Sequence, residues 1–300
     1  MHRRYSRSSR MVADFVSRLQ VPAPPAEKLP KLTVVTPSYN QARFLERTIL
    51  SVLNQGYPDL EYIIMDGGST DGSVEIIRKY EAHLAHWEST RDRGQSHAIN
   101  KGFEMATGEY LAWQNSDDLY CPGALVKLGR AALRERSATL ISGNMYIADS
   151  ENRIFRQVSY TPMSRADLTA ICASIPNQVA IFRRDALLRH GLLDEGMRYC
   201  MDLELWSRLL RDGPNVVVPE ARGVYTAHAE TKTSTMLDVL DSERDVIIDG
   251  ILAEGEGGGR LFGLSCRAGK VATHARQGDY DYLMEKLVHK LAGRDHWHAY

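Results

Sequence analysis

Three short apolar runs in this chain each end in a polar cluster, and that repeated pattern constrains the fold more than any other feature. Leu32-Thr33-Val34-Val35-Thr36 leads into Pro37-Ser38-Tyr39-Asn40. Glu61-Tyr62-Ile63-Ile64-Met65 leads into Asp66-Gly67-Gly68-Ser69-Thr70-Asp71-Gly72, and Tyr110-Leu111-Ala112-Trp113 into Asn115-Ser116-Asp117-Asp118. Runs of this length, rich in β-branched and aromatic residues, read as strands buried on both faces. Helical patterns separate them. Phe44, Leu45, Ile49, Val52 and Leu53 recur at helical spacing, with Asn40 as a candidate N-cap and Gly56 and Pro58 as the stop. Further helices are expected over 74–80 and 96–106, and a short strand around Trp87-Glu88.

Strand and helix in alternation predict an α/β fold with a Rossmann-like, mostly parallel central sheet flanked by helices. Ligands of such sheets bind beyond the carboxyl ends of the strands, so the three polar clusters are expected to meet at one rim. Beyond residue 140 the order is less regular. Strands are expected at 140–143 and 154–156, a helix over 203–210, and a strand pair around 216–218 and 224–225. The expected organisation is a basic segment and linker over 1–30, a main domain over 31–235 and a helical C-terminal extension over 236–300.

In the first of these, Arg3, Arg4, Arg7 and Arg10 precede Met11, Val12, Phe15, Val16 and Leu19 on one helical face. That face could lie on a membrane surface or pack on the domain, and a loosely docked or frayed terminal helix is the reading favoured over both. Val21-Pro22-Ala23-Pro24-Pro25 reads as a linker. A net charge of -1 gives no reason to expect nucleic acid as a partner. Cys121, Cys172, Cys200 and Cys266 lack metal-ligand or redox spacing, which points to reduced thiols and a cytoplasmic setting. No apolar run is long enough to span a bilayer.

The acidic pair Asp117-Asp118 suits a hard divalent cation, which takes one or two protein carboxylates plus phosphate oxygens. Alone it would read as a helix cap ahead of Pro122; convergence of three clusters on one rim favours the metal. Asp66 ends its strand in a glycine-rich turn, where a carboxylate can accept from a base or ribose and the glycines permit close approach. A purely local turn role is equally compatible. Asp202 and Glu204 open a helix, and taken alone they read as partners of its dipole rather than as a general base. His228 and His97 read as structural or exposed histidines. The chain has neither GxGxxG after its first strand nor a GxxxxGK[ST] loop, which excludes the common dinucleotide and P-loop sites.

In order, these segments resemble glycosyltransferase family 2, the inverting enzymes of the GT-A nucleotide-diphospho-sugar transferase fold. The resemblance runs over about 32–228 and is carried by Thr36 to Asn40, by Ile64-Met65-Asp66-Gly67-Gly68-Ser69-Thr70-Asp71-Gly72-Ser73, and by Asp92-Arg93-Gly94-Gln95-Ser96 through Asn100-Lys101-Gly102. It continues through Asn115-Ser116-Asp117-Asp118 and Met201-Asp202-Leu203-Glu204-Leu205-Trp206. It implies that Asp66 binds the nucleotide base with Thr36, Ser38 and Tyr39. Gly68, Asp92, Gln95, Asn100, Asn115 and Ser116 complete the donor site by the same implication. Asp117 becomes the principal ligand of Mn2+ or Mg2+, with Asp118 in support and His228 as a second ligand, and Asp202 the base that deprotonates the acceptor. The implied donor is a nucleotide diphosphate sugar, a UDP-sugar first among them. The implied acceptor is a saccharide or lipid-linked hydroxyl, with peripheral contact at the cytoplasmic face of the membrane.

Three positions depart from the family pattern. Gly67 and Asn115 stand where an acid is common, and Met201 precedes Asp202 where an acid is frequent. Two other readings stay open: a catalytically silent GT-A scaffold subunit of a polysaccharide assembly system, and a sugar nucleotidyltransferase. The second lacks its glycine-rich loop with a basic residue.

Overall fold

The computed structural model describes residues 5–20, 22–169, 175–228 and 237–256, together with residue 272. Among these, nine strands form one sheet in the order β3-β2-β1-β4-β8-β6-β9-β5, with β7 paired to β6. The first half comprises β1 (Leu32–Ser38), β2 (Leu60–Asp66), β3 (His86–Ser89) and β4 (Tyr110–Trp113). All pairings within it are parallel, as the alternating pattern requires. β1 is buried at every position, which explains its unbroken apolar and β-branched sequence.

The second half departs from the mostly parallel expectation. It contains β5 (Leu119–Tyr120), β6 (Leu140–Asp149), β7 (Ile154–Val158), β8 (Ala180–Arg183) and β9 (Asn215–Ala227). β8 runs antiparallel to both β4 and β6, and β5 antiparallel to β9, while β6 and β9 are parallel. The sheet is therefore parallel on one side and mixed on the other. The strand pair expected near 216 and 224 is the single strand β9. Its register against β6 jumps from Gly143↔Val218 to Asn144↔Arg222, so Pro219-Glu220-Ala221 bulge out. Proline cannot donate to a ladder, which makes it a natural bulge residue.

Alternation along the strands sends side chains to two cores. Val34, Tyr62, Ile64 and Ala112 pack with α2 (Ala42–Leu53), α3 (Ser73–Lys79) and α5 (Ala124–Arg134). Val35, Ile63, Met65, Leu111 and Trp113 face α4 (Gln95–Met105), α6 (Arg184–His190), α7 (Met201–Leu209) and α8 (Leu237–Ala253). Gly102 lets α4 lie close on β1, since a Cβ there would stand 2.5 Å from Val35 Cγ1. Trp113, Phe182, Phe103 and Trp206 form a connected aromatic cluster under this helical layer.

The terminal helix is not frayed or loosely docked. α1 (Ser6–Phe15) buries Val12 completely against Leu119, Cys121, Tyr146, Ile154 and Val224. The Asn54 side chain then fastens its exit, donating to the carbonyls of Phe15 and Arg18 and accepting from the Gln20 N–H. At the other end, Ile247 and Ile251 of α8 are buried against the helical layer. The buried Arg165 guanidinium pairs with Glu254 and Glu256. The helices expected beyond 256 lie outside the described residues, as do Cys172 and Cys266. Among the described residues, no helix is long and apolar enough to cross a membrane.

One carboxylate fastens the amino ends of the strands. Glu61 accepts from the Thr107 N–H, the Thr107 hydroxyl and the Thr33 hydroxyl, and pairs with Lys31. Burial pushes its pKa up, but these donors outweigh burial and bring it from an ordinary 4.5 down to about 2. A carboxyl depressed in the folded state stabilises the fold fully above its unfolded pKa. That contribution is lost as the pH falls from about 4.5 through about 2. Glu61→Gln should flatten the pH dependence of the denaturant midpoint in this window, and unchanged steepness would remove Glu61 as its source.

Candidate active site

β1, β2 and β4 are parallel and in register, so their polar ends do meet at one rim. A cavity of about 450 Å³ opens there. Pro37, Ser38, Tyr39 and Gln41 line it from the end of β1, and Asp92, Gly94, Gln95 and Ala98 from the loop into α4. Trp113 and Asn115 to Asp118 contribute from the end of β4, Tyr199, Met201 and Asp202 from the start of α7, and Tyr225 from β9. The turn before β8 adds Asn177 and Gln178.

Three buried polar atoms along this lining lack a partner among the described residues: the Ser38 hydroxyl, the Gln41 side-chain carbonyl oxygen and the Trp113 indole nitrogen. Buried polar groups are almost always satisfied, so their position fits a site that receives a polar ligand. Tyr39 stands 62% exposed at the rim, an aromatic face open to stacking.

Five expected site residues lie outside the lining: Thr36, Asp66, Gly68, Asn100 and His228. Thr36 is fully buried and bonds the Tyr62 hydroxyl at 3.0 Å. Asp66 is 2% exposed, and its carboxylate accepts from the Gly68 and Ser69 N–H groups and the Ser69 and Ser89 hydroxyls. It therefore shapes the turn instead of facing the cavity, and Gly68 is held by the same bonds. Asn100 exchanges two hydrogen bonds with the Leu193 backbone, tying α4 to the segment before α7. Asn40 does not cap α2 either. It adopts a left-handed φ of 52° and accepts from the Thr70 N–H, while Asp71 accepts from the Ala42 N–H at the start of α2.

The cluster after β4 is braced internally. Asn115 accepts from Gln95 at 2.8 Å and donates to Asp118 at 3.1 Å, a two-way bridge that an ionised carboxylate, which only accepts, could not make. This accounts for an asparagine at a position where an acid is common. Asp118 is 1% exposed and also accepts from the Thr226 N–H and the Gln178 side chain. Burial first, and the adjacent Asp117 charge second, push its carboxyl well above the usual range. Asp118 thus holds β9 to the cluster, a more structural position than that of a second metal ligand.

Asp117 is the more accessible carboxylate. Its Oδ2 lies 3.0 Å from His228 Nε2, and the imidazole stacks on Phe44 with ring centroids 4.6 Å apart. Among the described residues no three His, Cys, Asp or Glu side chains gather as a metal site. A carboxylate and an imidazole are nonetheless a fitting pair for a divalent cation that takes its remaining oxygens from phosphate and water. The donor set suits Mn2+ better than Mg2+, which prefers oxygen throughout.

The two acids of α7 have separate surroundings. Glu204 pairs with Arg208, whose guanidinium also donates to the carbonyls of His190, Gly191 and Leu192. Asp202 lines the cavity. The backbone approaching α7 is capped from elsewhere: Glu243 of α8 accepts from the N–H groups of Arg198, Tyr199 and Cys200 at 2.7–2.8 Å. Asp202 itself accepts from the Leu203 N–H at 2.8 Å, the local role expected in a first turn, and presents its carboxylate on the cavity lining as well. Glu243→Ala should cost about 1–2 kcal/mol in denaturant unfolding, the usual loss for a removed cap. Glu243→Gln, which keeps an acceptor oxygen, should cost less.

Sequence reasoning missed Asn177, Gln178, Tyr199 and Tyr225. The one available signal was the polar Asn177-Gln178 pair just ahead of an apolar strand; nothing local marks the two tyrosines.

The profile of Glycosyl transferase family 2 matches residues 33–191, just over half of the chain. TuaG of Bacillus subtilis, named for teichuronic acid biosynthesis, is 40% identical over 103 residues, 33% of this chain and 40% of that protein. S. aureus TarS 1-349 in complex with UDP-GlcNAc superposes with a TM-score of 0.59 at 17% identity, covering 74% of this chain and 71% of that one. GalNAc-T7 with UDP, GalNAc and Mn2+ gives 0.54 at 13% identity, covering 76% and 53% respectively. These likenesses establish the GT-A fold. The chain belongs to glycosyltransferase family 2.

Proposed function

We propose that this glycosyltransferase moves a sugar from a UDP-sugar to an acceptor hydroxyl with inversion, using Asp202 as the base. The observation that carries this reading is the meeting of Asp117 and Asp202 on one cavity, although 85 positions separate them in the chain. Ser38, Tyr39, Asp92, Gln95 and Ser116 would surround the nucleotide. Asp117 and His228 would hold Mn2+, with Mg2+ as the weaker fit, and Asp118 would brace them. Such a cation supplies positive charge that offsets charge developing on the departing diphosphate.

The protein's own part is positioning and proton removal. Asp202 accepts the acceptor hydroxyl proton as that oxygen attacks the anomeric carbon. The bond from the anomeric carbon to the diphosphate oxygen breaks, and its electron pair leaves with the nucleotide. Attack from the face opposite the leaving group inverts the anomeric configuration.

The TarS complex with UDP-GlcNAc supports a uridine nucleotide donor, GalNAc-T7 with Mn2+ supports the metal, and the name of TuaG supports a role in polysaccharide or glycoconjugate synthesis. In this reading 31–235 forms the catalytic unit, flanked by 1–30 and 236–300, with the acceptor saccharide or lipid-linked and reached at the cytoplasmic face of a membrane. Purified protein incubated with Mn2+ and a panel of sugar nucleotides should hydrolyse or transfer at least one UDP-sugar, read by mass spectrometry. Absence of metal-dependent turnover across the panel would sink this reading and favour a silent binding subunit.

A further inference from the structure

Beside Tyr39, two loops share the space of one side chain. Gly67 has none, and a Cβ built there would stand 2.7 Å from Asp92 Oδ2 and 3.3 Å from Tyr39 Cδ2. At that separation one of the two must give way, and the end of the Asp92 side chain is the group that a side chain at 67 would displace from its present seat. The Gly94 N–H donates to Asp92 Oδ1 at 2.8 Å and fixes the carboxylate at one end. Among the described residues no donor reaches Oδ2. Asp92 and the largely exposed Tyr39 ring both line the cavity. A flat aromatic face with an acceptor beside it suits a planar heterocycle that carries a ring N–H. Asp66, one residue before Gly67, is unavailable for this task because four donors already engage it inside the turn.

We propose that Asp92, seated through the missing side chain of Gly67, reads the base of the donor and selects uridine over cytidine. This rests on the nucleotide-sugar reading above. Uracil carries a proton on N3, which donates to Asp92 Oδ2. Cytosine has a lone pair on N3, which loses that bond and faces a negative oxygen instead. A site built to accept from a ring N–H rejects the analogue lacking it, because its own acceptor is left without a partner.

The test is calorimetric titration of UDP and CDP, in Mn2+, into the full chain and three variants. Wild type should favour UDP by roughly tenfold or more, the worth of one hydrogen bond to a charged group. Asp92→Asn offers an amide donor to cytosine N3, so the preference should vanish or invert. Gly67→Asp should weaken both nucleotides, since two carboxylates then crowd one space. The double variant Gly67→Asp/Asp92→Gly should regain the UDP preference, because one carboxylate is again available. Thermal melts of each variant check that it is folded. Equal binding of UDP and CDP by wild type would overturn the inference and leave the nucleotide-sugar reading standing, whereas binding of neither would overturn both. Retained UDP preference in Asp92→Asn, or its absence in the double variant, would also overturn the assignment.

Discussion

Asp202→Asn is expected to lower the transfer rate by roughly 10²–10⁴-fold, the contribution of a positioned general base, and to leave metal-dependent nucleotide binding in place. The asparagine keeps the shape and can still accept from the Leu203 N–H, as Asp202 does at 2.8 Å. It has no basicity with which to take a proton from the acceptor. Because Glu243 caps the approach to α7, the substitution should leave the helix start in place. A fall in rate with unchanged donor affinity therefore isolates proton removal. Transfer by Asp202→Asn at the wild-type rate would take the base role from this residue. A parallel loss of nucleotide affinity would point to a donor-binding role instead.

The second large effect concerns Asp117→Ala. We expect UDP affinity in Mn2+ to fall by roughly a hundredfold, about 3 kcal/mol, because the cation loses its principal carboxylate and the diphosphate loses its bridge to the protein. Without metal, wild type and variant should bind UDP equally weakly. Asp118→Asn separates the two neighbouring acids. Its carboxylate is buried and braces Asn115, Thr226 and Gln178, so this change should act mainly on stability. Calorimetry with and without Mn2+ reads the first effect and denaturant unfolding the second. A metal-dependent loss in Asp118→Asn as large as that in Asp117→Ala would reverse the division of labour.

The parallel half of the fold was legible because each strand carries its own signal. A doubly buried strand reads as a continuous apolar run, and β1, β2 and β4 all do. The mixed half was less so. Nothing in the local sequence of Ala180 to Arg183 reveals that it pairs antiparallel with both β4 and β6; that pairing depends on partners far along the chain. β9 looked like two strands because Pro219 and Glu220 interrupt its apolar pattern, and only the bulge reconciles them.

The site shows the same division. Convergence of strand ends follows from topology, so Ser38, Tyr39 and the Asn115 to Asp118 cluster were found from sequence alone. Whether a polar residue at such an end faces the cavity or the loop behind it depends on atoms a few ångströms apart. Asp66 and Thr36 turned inward, and sequence could not distinguish them from Ser38. Tyr199 and Tyr225 reach the cavity from elements whose placement no local pattern encodes. The Asp117 and His228 contact, 111 residues apart, belongs to the same class, and only resemblance to a family had suggested it.

Titration of UDP into the purified chain, in Mn2+ and again with the metal chelated, shows whether this rim holds a nucleotide diphosphate through a cation. Saturable binding is expected with metal, lost or sharply weakened without it, with the same metal dependence in Asp202→Asn. Equal UDP binding in both conditions, or none in either, would contradict a metal-assisted nucleotide-sugar site on this rim.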